Sequence, residues 1–321
     1  MMATSAKESP QLSRPARLRA RLFDSDLLFL MEAHDGLSAR IAEVEGFEAI
    51  WASGFSVSTS LGVRDSDEAT WSQLLAVVEC MLDASNLPVV VDGDTGHGNF
   101  NTARRFVRRA ERIGAAGVCL EDKVFPKTNS FVDTSHELEG IESFAGKLRA
   151  CKSNQADPDF CLIARTEALI AGQGMNEALR RATAYCDAGA DAIFIHSRLS
   201  VADEIEEFTR RWDGARPLVI SPTTYAATTP TEAFRQSGIS TVIWANQSMR
   251  AAAAAMRKLC RELRTVESDA DTQTELASLS EIFELMGYDE LADASRQYLC
   301  ADPADAGPTL PPAVSAGNGK R

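Results

Sequence analysis

Residues 87–100, LPVVVDGDTGHGNF, and residues 117–130, GVCLEDKVFPKTNS, decide how this chain folds. Each contains a short apolar run bounded by Pro or Gly. Such a run reads as a strand buried on both faces rather than one that alternates between core and solvent. Each run ends in acid, Asp92 and Asp94 on the first, Glu121 and Asp122 on the second. Between the runs, residues 102–113 have the spacing of a helix with a basic outer face. Strand, helix and strand make a βα unit whose strand ends carry hard oxygen ligands.

The unit recurs outward in both directions. Strands are predicted at 28–33, 49–52, 89–92, 117–121, 160–165, 192–196, 218–221 and 241–244. Helices alternate with them at 37–45, 68–84, 102–113, 138–152, 176–187, 202–211, 231–236 and 249–263. Four helices run into the next strand through one phrase, EGFEAI, IGAAGV, AGADAI and SGISTV, in which Gly supplies a left-handed terminus. Eight strands and eight helices in alternation make the chain from 22 to 265 an α/β protein, a (β/α)₈ TIM barrel. A doubly wound open sheet is the alternative. A barrel carries its chemistry at the C-terminal ends of its strands. There the sequence places Glu32 and His34, Ser53 and Gly54, Asp92 and Asp94, Glu121 and Asp122, Arg165 and Glu167, His196, Ser221 and Thr223, and Asn246.

The flanks read differently. Residues 1–21 are polar and basic without a following apolar core, so they read as a flexible arm and not a secretory signal. Residues 266–300 contain an acidic linker and two short amphipathic helices, which must pack on the barrel or a neighbouring subunit to persist. Residues 301–321, rich in Pro, Ala and Gly, are expected to be disordered.

Composition narrows the function. Of 321 residues, 45% are hydrophobic and 25% charged, and the net charge is −13. Nucleic-acid binding needs a concentrated cationic surface, so it is not expected. Seven cysteines without C-x-x-C spacing, several inside apolar runs, read as reduced thiols in a cytoplasmic protein. No apolar run approaches the ~18 residues of a membrane span.

The chemistry concentrates on a few residues. Asp92, Asp94 and Glu121 on adjacent strands suit Mg²⁺, which prefers oxygen ligands and retains water. Gly93 is expected to let the backbone approach a ligand. Strand-end acids also cap helices, which is the plainer reading of any one of them. Arg165 and His196 follow apolar runs and point into the barrel mouth. A guanidinium there takes an anionic ligand or a buried carboxylate, for which Glu167 is available. Ser53 and Gly54 offer backbone N–H groups to a carboxylate. Asp65 lies in a loop where Ser66 or Asp67 is expected to cap the next helix. The polar loop 123–130 can close over the metal, and its Lys127, Asn129 and Ser130 suit phosphoryl oxygens.

The stretches WASGFSVSTSLGVRDSDE, DGDTGHGNF and EDKVFPKTNS resemble the isocitrate lyase/phosphoenolpyruvate mutase superfamily over roughly residues 25–265. Lyases of that superfamily carry a K-[KR]-C-G-H loop with a catalytic Cys. Here the loop reads KTNS, as in the phosphoryl-transferring members. The resemblance implies a small-molecule substrate, phosphoenolpyruvate or phosphonopyruvate, and transfer of the phosphoryl group between O2 and C3. It implies Mg²⁺ held principally by Asp92, with Asp94 and Glu121 acting largely through water. It assigns Ser53 and Gly54 to the carboxylate, Trp51 to the pocket wall, and Arg165 and His196 to the substrate's oxygens. Lys127, Asn129 and Ser130 form the gate, with Asn129 steering the phosphoryl group. Asp65 stands where the family has an essential carboxylate, as nucleophile or electrostatic anchor. A homotetramer, a dimer of dimers with exchanged C-terminal helices, is implied as well. Two positions depart from the pattern: Phe55, where Leu is expected, and His97, where Tyr is expected and to which a surface role is given. A hydrolase of phosphonopyruvate, a lyase acting on a diacid and a non-catalytic scaffold are the competing readings.

Overall fold

Eight parallel strands close on themselves in sequence order, with β1 (Leu28–Ala33) hydrogen-bonded to both β2 (Ala49–Ala52) and β8 (Thr241–Trp244). Between them come β3 (Val89–Asp92), β4 (Gly117–Glu121), β5 (Cys161–Thr166), β6 (Ala192–Ile195) and β7 (Leu218–Ile220). This computed structural model describes residues 12–132, 135–214, 216–269 and 272–299. The closed barrel is the expected one, not the open sheet.

The helices are α1 (Arg14–Leu22), α2 (Gly36–Val44), α3 (Gly54–Ser60), α4 (Trp71–Ala84), α5 (Phe100–Arg112), α6 (Ile141–Lys152), α7 (Met175–Asp187), α8 (Asp203–Arg211), α9 (Thr231–Gln236), α10 (Gln247–Val266), α11 (Leu279–Leu285) and α12 (Tyr288–Tyr298). Gly46, Gly114, Gly189 and Gly238 in the four repeated phrases all have φ between 73° and 101°, the left-handed helix exit that lets the next residue enter a strand.

Two apolar layers hold the barrel. Inside it, Leu28, Leu30, Trp51, Val90, Ile163, Phe194, Val219 and Ile243 fill the bore. Outside it, the opposite strand faces pack on the helices through residues such as Val78, Phe106, Phe144, Tyr185 and Phe208. Alternate residues of one strand thus serve different layers.

The N-terminal segment departs from expectation. Part of the supposed arm is α1, capped by Ser13 and carrying Pro near its first turn. Its Leu18 and Leu22, each 1% exposed, join the barrel's inner layer beside residues at the starts of the strands and so close the end opposite the rim. Each such leucine contributes about 1.5–3 kcal/mol. Arg14 donates to the carbonyls of Leu82 and Ser85, and Arg19 pairs with Asp191 at 2.9 Å. The remainder of the arm, residues 1–11, and the tail, 301–321, lie outside the described residues.

The chain divides into two units after Ala253. In the second, α11 begins at a Ser278–Glu281 capping box. Neither α11 nor α12 has a buried side chain, and Leu279, Phe283 and Leu291 are exposed.

Candidate active site

The site is assembled at the C-terminal end of the barrel, from the ends of β2 to β6 and the segments that follow them. After β2, Ser53 caps α3 through the Ser56 amide. The chain then runs through Arg64–Glu68 to Thr70, which caps α4 in a box with Gln73. Since Thr70 is the cap, Ser66 and Asp67, the expected caps, have other work. Asp67 Oδ2 accepts the Lys127 amide at 2.6 Å, and Ser66 Oγ donates to the Lys127 carbonyl at 3.3 Å. The loop after β4 is therefore tied by its backbone to the loop after β2.

That tie brings Lys127 inward, where it is 6% exposed. Its ammonium pairs with Asp65 and lies 2.9 Å from Asp94 Oδ1. Asn129 Nδ2 donates to the other Asp65 oxygen at 2.7 Å. Burial alone would raise the Asp65 carboxyl, but the Lys127 charge and these hydrogen bonds outweigh it and hold it below the usual carboxylate range. Burial would likewise lower Lys127, and the surrounding carboxylates, Asp94 first, keep it well above its ordinary value.

A second network anchors the loop's far end. Ser130 Oγ donates to Glu167 Oε2 at 2.7 Å and accepts from Lys123 Nζ at 2.5 Å and Arg165 Nη2 at 3.1 Å. Arg165 Nε pairs with Glu167, which is fully buried. His196 Nδ1 lies 2.8 Å from both Arg165 Nη2 and Glu167 Oε1. One nitrogen serves one of these at a time, Arg165 in the Nε2–H tautomer and Glu167 in the Nδ1–H tautomer. Burial, the largest influence, lowers His196 and favours neutral imidazole.

Asp92, Trp51, Ser53, Asp65 and Lys127 line a cavity of about 270 Å³, and Asn129, Ser130, Arg165 and His196 are also in its wall, with Arg250 and Asn246 among the others. Gly54, Asp94 and Glu121 stand just behind. A Cβ at Gly54 would lie 3.2 Å from Asp94 Oδ1 and 3.3 Å from Asp92 Oδ2. The Gly54 amide is directed to Asp92 at 3.3 Å. Arg165 lies 3.4 Å from Glu121 Oε2.

The residues fit a divalent cation. Glu121 Oε1 is buried without a hydrogen-bond partner among the described residues. Asp92 accepts long bonds, from the Gly54 amide at 3.3 Å and the Asp94 amide at 3.4 Å. Burial raises the carboxyls of both Asp92 and Asp94, so added positive charge would be well received. A group of described residues whose ligand atoms all lie within 4.8 Å of one another is Asp67, Asp94 and His97, which shares Asp94 alone with the expected trio.

The structure alters or adds to the reading of four residues. Gly93 has a packing reason of its own: a Cβ there would lie 2.7 Å from Phe106 Cε1 and 2.9 Å from Leu120 Cδ2. Asp122 turns away from the rim to accept Tyr185 Oη at 2.6 Å, Arg181 Nη1 at 3.0 Å and the Glu167 amide at 2.8 Å. Burial nevertheless raises its carboxyl to about 6. His97 is not a surface residue. Its side chain is 8% exposed and its ring packs edge-on to Phe106 at 4.7 Å. Lys123, unassigned by sequence, is buried and supports Ser130.

Known proteins share this architecture. The family model described as phosphoenolpyruvate phosphomutase matches residues 18–264. A phosphoenolpyruvate phosphomutase of Streptomyces hygroscopicus is 56% identical over 287 residues, 89% of this chain and 91% of that protein. The crystal structure of a phosphoenolpyruvate phosphomutase from Streptomyces platensis subsp. rosaceus is similar with a TM-score of 0.86 at 39% identity, over 89% of this chain and 99% of that one. A phosphonopyruvate hydrolase in complex with oxalate and Mg²⁺ gives a TM-score of 0.84 at 39% identity, over 90% and 100%.

Proposed function

We infer that this chain, which belongs to the phosphoenolpyruvate phosphomutase family, interconverts phosphoenolpyruvate and 3-phosphonopyruvate. The observation that carries the reading is Lys127, held by its loop between Asp65 and Asp94, across one small cavity from Arg165 and His196. Two cationic walls suit a short ligand with a carboxylate and a phosphoryl group.

In the forward direction the O2–P bond breaks, the C3–P bond forms and the C2 oxygen becomes a ketone. No proton is gained or lost. The site therefore needs fixed charges and donors rather than a general base. Mg²⁺, held by Asp92 with Asp94 and Glu121 near it, would polarise the pyruvyl oxygens and stabilise enolate charge. Arg165 and neutral His196 hold the substrate's oxygens, and Trp51 forms the wall beside them. Ser53 and the Gly54 amide serve the carboxylate, for which Gly54 must release Asp92. Both Asp65 oxygens are already engaged, which favours an anchor for Lys127 and Asn129 over a nucleophile. Asn129 and Lys127 steer a loose, metaphosphate-like group from oxygen to carbon. Ser130 keeps the loop shut so that water does not intercept it.

Formation of a C–P bond makes this the entry reaction of phosphonate biosynthesis. The equilibrium favours the enol phosphate, so an irreversible step must follow. A homotetramer with exchanged C-terminal helices accounts for the exposed apolar side chains of α11 and α12. A cytoplasmic location agrees with six free cysteines among the described residues.

The test is ³¹P NMR of the protein with phosphonopyruvate and Mg²⁺. Phosphoenolpyruvate as product supports the mutase. Inorganic phosphate with pyruvate would instead make it a hydrolase, the activity named for the relative at 39% identity.

A further inference from the structure

We propose that Asp67, Asp94 and His97 form a second metal site, for a borderline divalent transition ion such as Zn²⁺ or Co²⁺, next to the Mg²⁺ position and distinct from it. The proposal does not depend on the mutase reading.

The three residues come from the loops after β2 and β3, and each offers one ligand atom within 4.8 Å of the others. Two polar atoms of these side chains are orphans, and of them Asp67 Oδ1 belongs to the pair that faces across the site. Asp67 Oδ1 and His97 Nε2 are buried without a hydrogen-bond partner among the described residues. Their side chains are 5% and 8% exposed, so bulk water does not satisfy them. A buried polar atom left unpaired costs about 1–3 kcal/mol. Asp67 Oδ1 faces His97 Nδ1 at 3.8 Å, which is too long for a hydrogen bond. Two ligands bound to one zinc-sized ion at about 2.1 Å each can lie up to about 4.2 Å apart, and this pair falls inside that limit.

The donor set names the ion. One imidazole nitrogen with two carboxylates is poor for Mg²⁺, which takes oxygen, and good for Zn²⁺, Co²⁺ or Mn²⁺. Asp92 and Glu121 belong to the other position, so the two sites share only Asp94. An ion here would also bear on the lid, because the second oxygen of Asp67 holds the Lys127 amide at 2.6 Å. Occupancy would couple the loops after β2 and β3 to the loop that closes the cavity.

Co²⁺ is the probe, read by equilibrium dialysis with metal analysis and by its visible absorption. The whole protein should take up two Co²⁺ per chain, and the His97→Phe variant one, with loss of the imidazole-dependent band. Asp92→Ala should also take up one and keep that band. Phe preserves the edge contact with Phe106. Position 97 has φ 59°, a conformation Asn adopts more easily, so His97→Asn serves as a second variant if His97→Phe fails to fold. One Co²⁺ per chain in the unaltered protein, or two retained by both His97 variants, overturns the proposal and leaves a water-bridged pair in its place. Product formation with Mg²⁺ should be unchanged in His97→Phe, so failure here is distinguishable from failure of the mutase assignment.

Discussion

The Lys127 ammonium lies 2.9 Å from Asp94 Oδ1, with both side chains nearly sealed from solvent. A residue of the closing loop thereby neutralises a carboxylate of the acidic cluster. Loop position and cluster charge are one variable rather than two. With Lys127 withdrawn, Asp65 and Asp94 would lose their shared cation, and their burial is tolerable because that cation is in place.

Lys127→Met keeps the length of the side chain and removes its charge. Two buried carboxylates then lose their shared cation, at a cost of about 3–5 kcal/mol to the folded state. Turnover should fall by about 10²-fold or more, as for loss of one charged donor from a preorganised site. Adding Asp65→Asn should recover much of the urea midpoint and none of the turnover. A single variant as stable as the parent would show that the ion pair does not hold the loop.

Asn129 ties that loop to the one after β2. Its Nδ2 donates to Asp65 at 2.7 Å and its Oδ1 accepts the Phe131 amide at 3.0 Å. Asn129→Ala should cost about 1 kcal/mol in stability. The loss of turnover should be disproportionate, about 10²-fold, if the amide orients the migrating group. Thermal melting and initial rates on the same preparation separate the two effects, and equal small losses would reduce Asn129 to a structural role.

Gly93 offers a packing test. A methyl added there would meet Phe106 Cε1 at 2.7 Å and both Leu120 Cδ2 and Val118 Cγ1 at 2.9 Å, so Gly93→Ala must push β3 or β4 aside. A cost of about 1–3 kcal/mol is expected from calorimetry. Turnover should fall too, since Asp92 and Asp94 flank the displaced residue. A neutral substitution would mean that β3 and β4 absorb the methyl and that packing does not require glycine here.

The barrel is legible in the sequence because periodicity and glycine exits report the strand–helix alternation directly. Asp92, Arg165 and His196 are legible because each ends an apolar run, and a polar residue there has only the rim to occupy. Side-chain direction is not legible. Glu121 and Asp122 are adjacent, yet alternation along the strand sends one to the rim and the other to Arg181 and Tyr185. Helix α1 hides in a polar, basic stretch, although Ser13, Pro15 and the four-residue spacing of Leu18 and Leu22 carry its signal. Asp67 and His97 meet only in three dimensions, across 30 residues of chain. Nothing in local spacing joins them.

His196 gives a pH test with a definite sign. Burial holds it below the ordinary histidine value of 6.5, so the folded state prefers neutral imidazole. The stability this contributes is fully present above the unfolded value, and is lost as pH falls from 6.5 through the folded value. Glu167 is also depressed, burial being outweighed by Arg165 and His196, so its contribution is lost at lower pH, below the ordinary glutamate range. Urea midpoints at pH 7.5 and 5.5 should therefore fall more for the parent than for His196→Gln, in which only the shared losses remain. The His196 ring resonance, assigned by its absence from the variant, should titrate below 6.5 in the ligand-free protein. A midpoint above 6.5 would mean that Glu167 outweighs burial and holds a charged imidazolium beside Arg165.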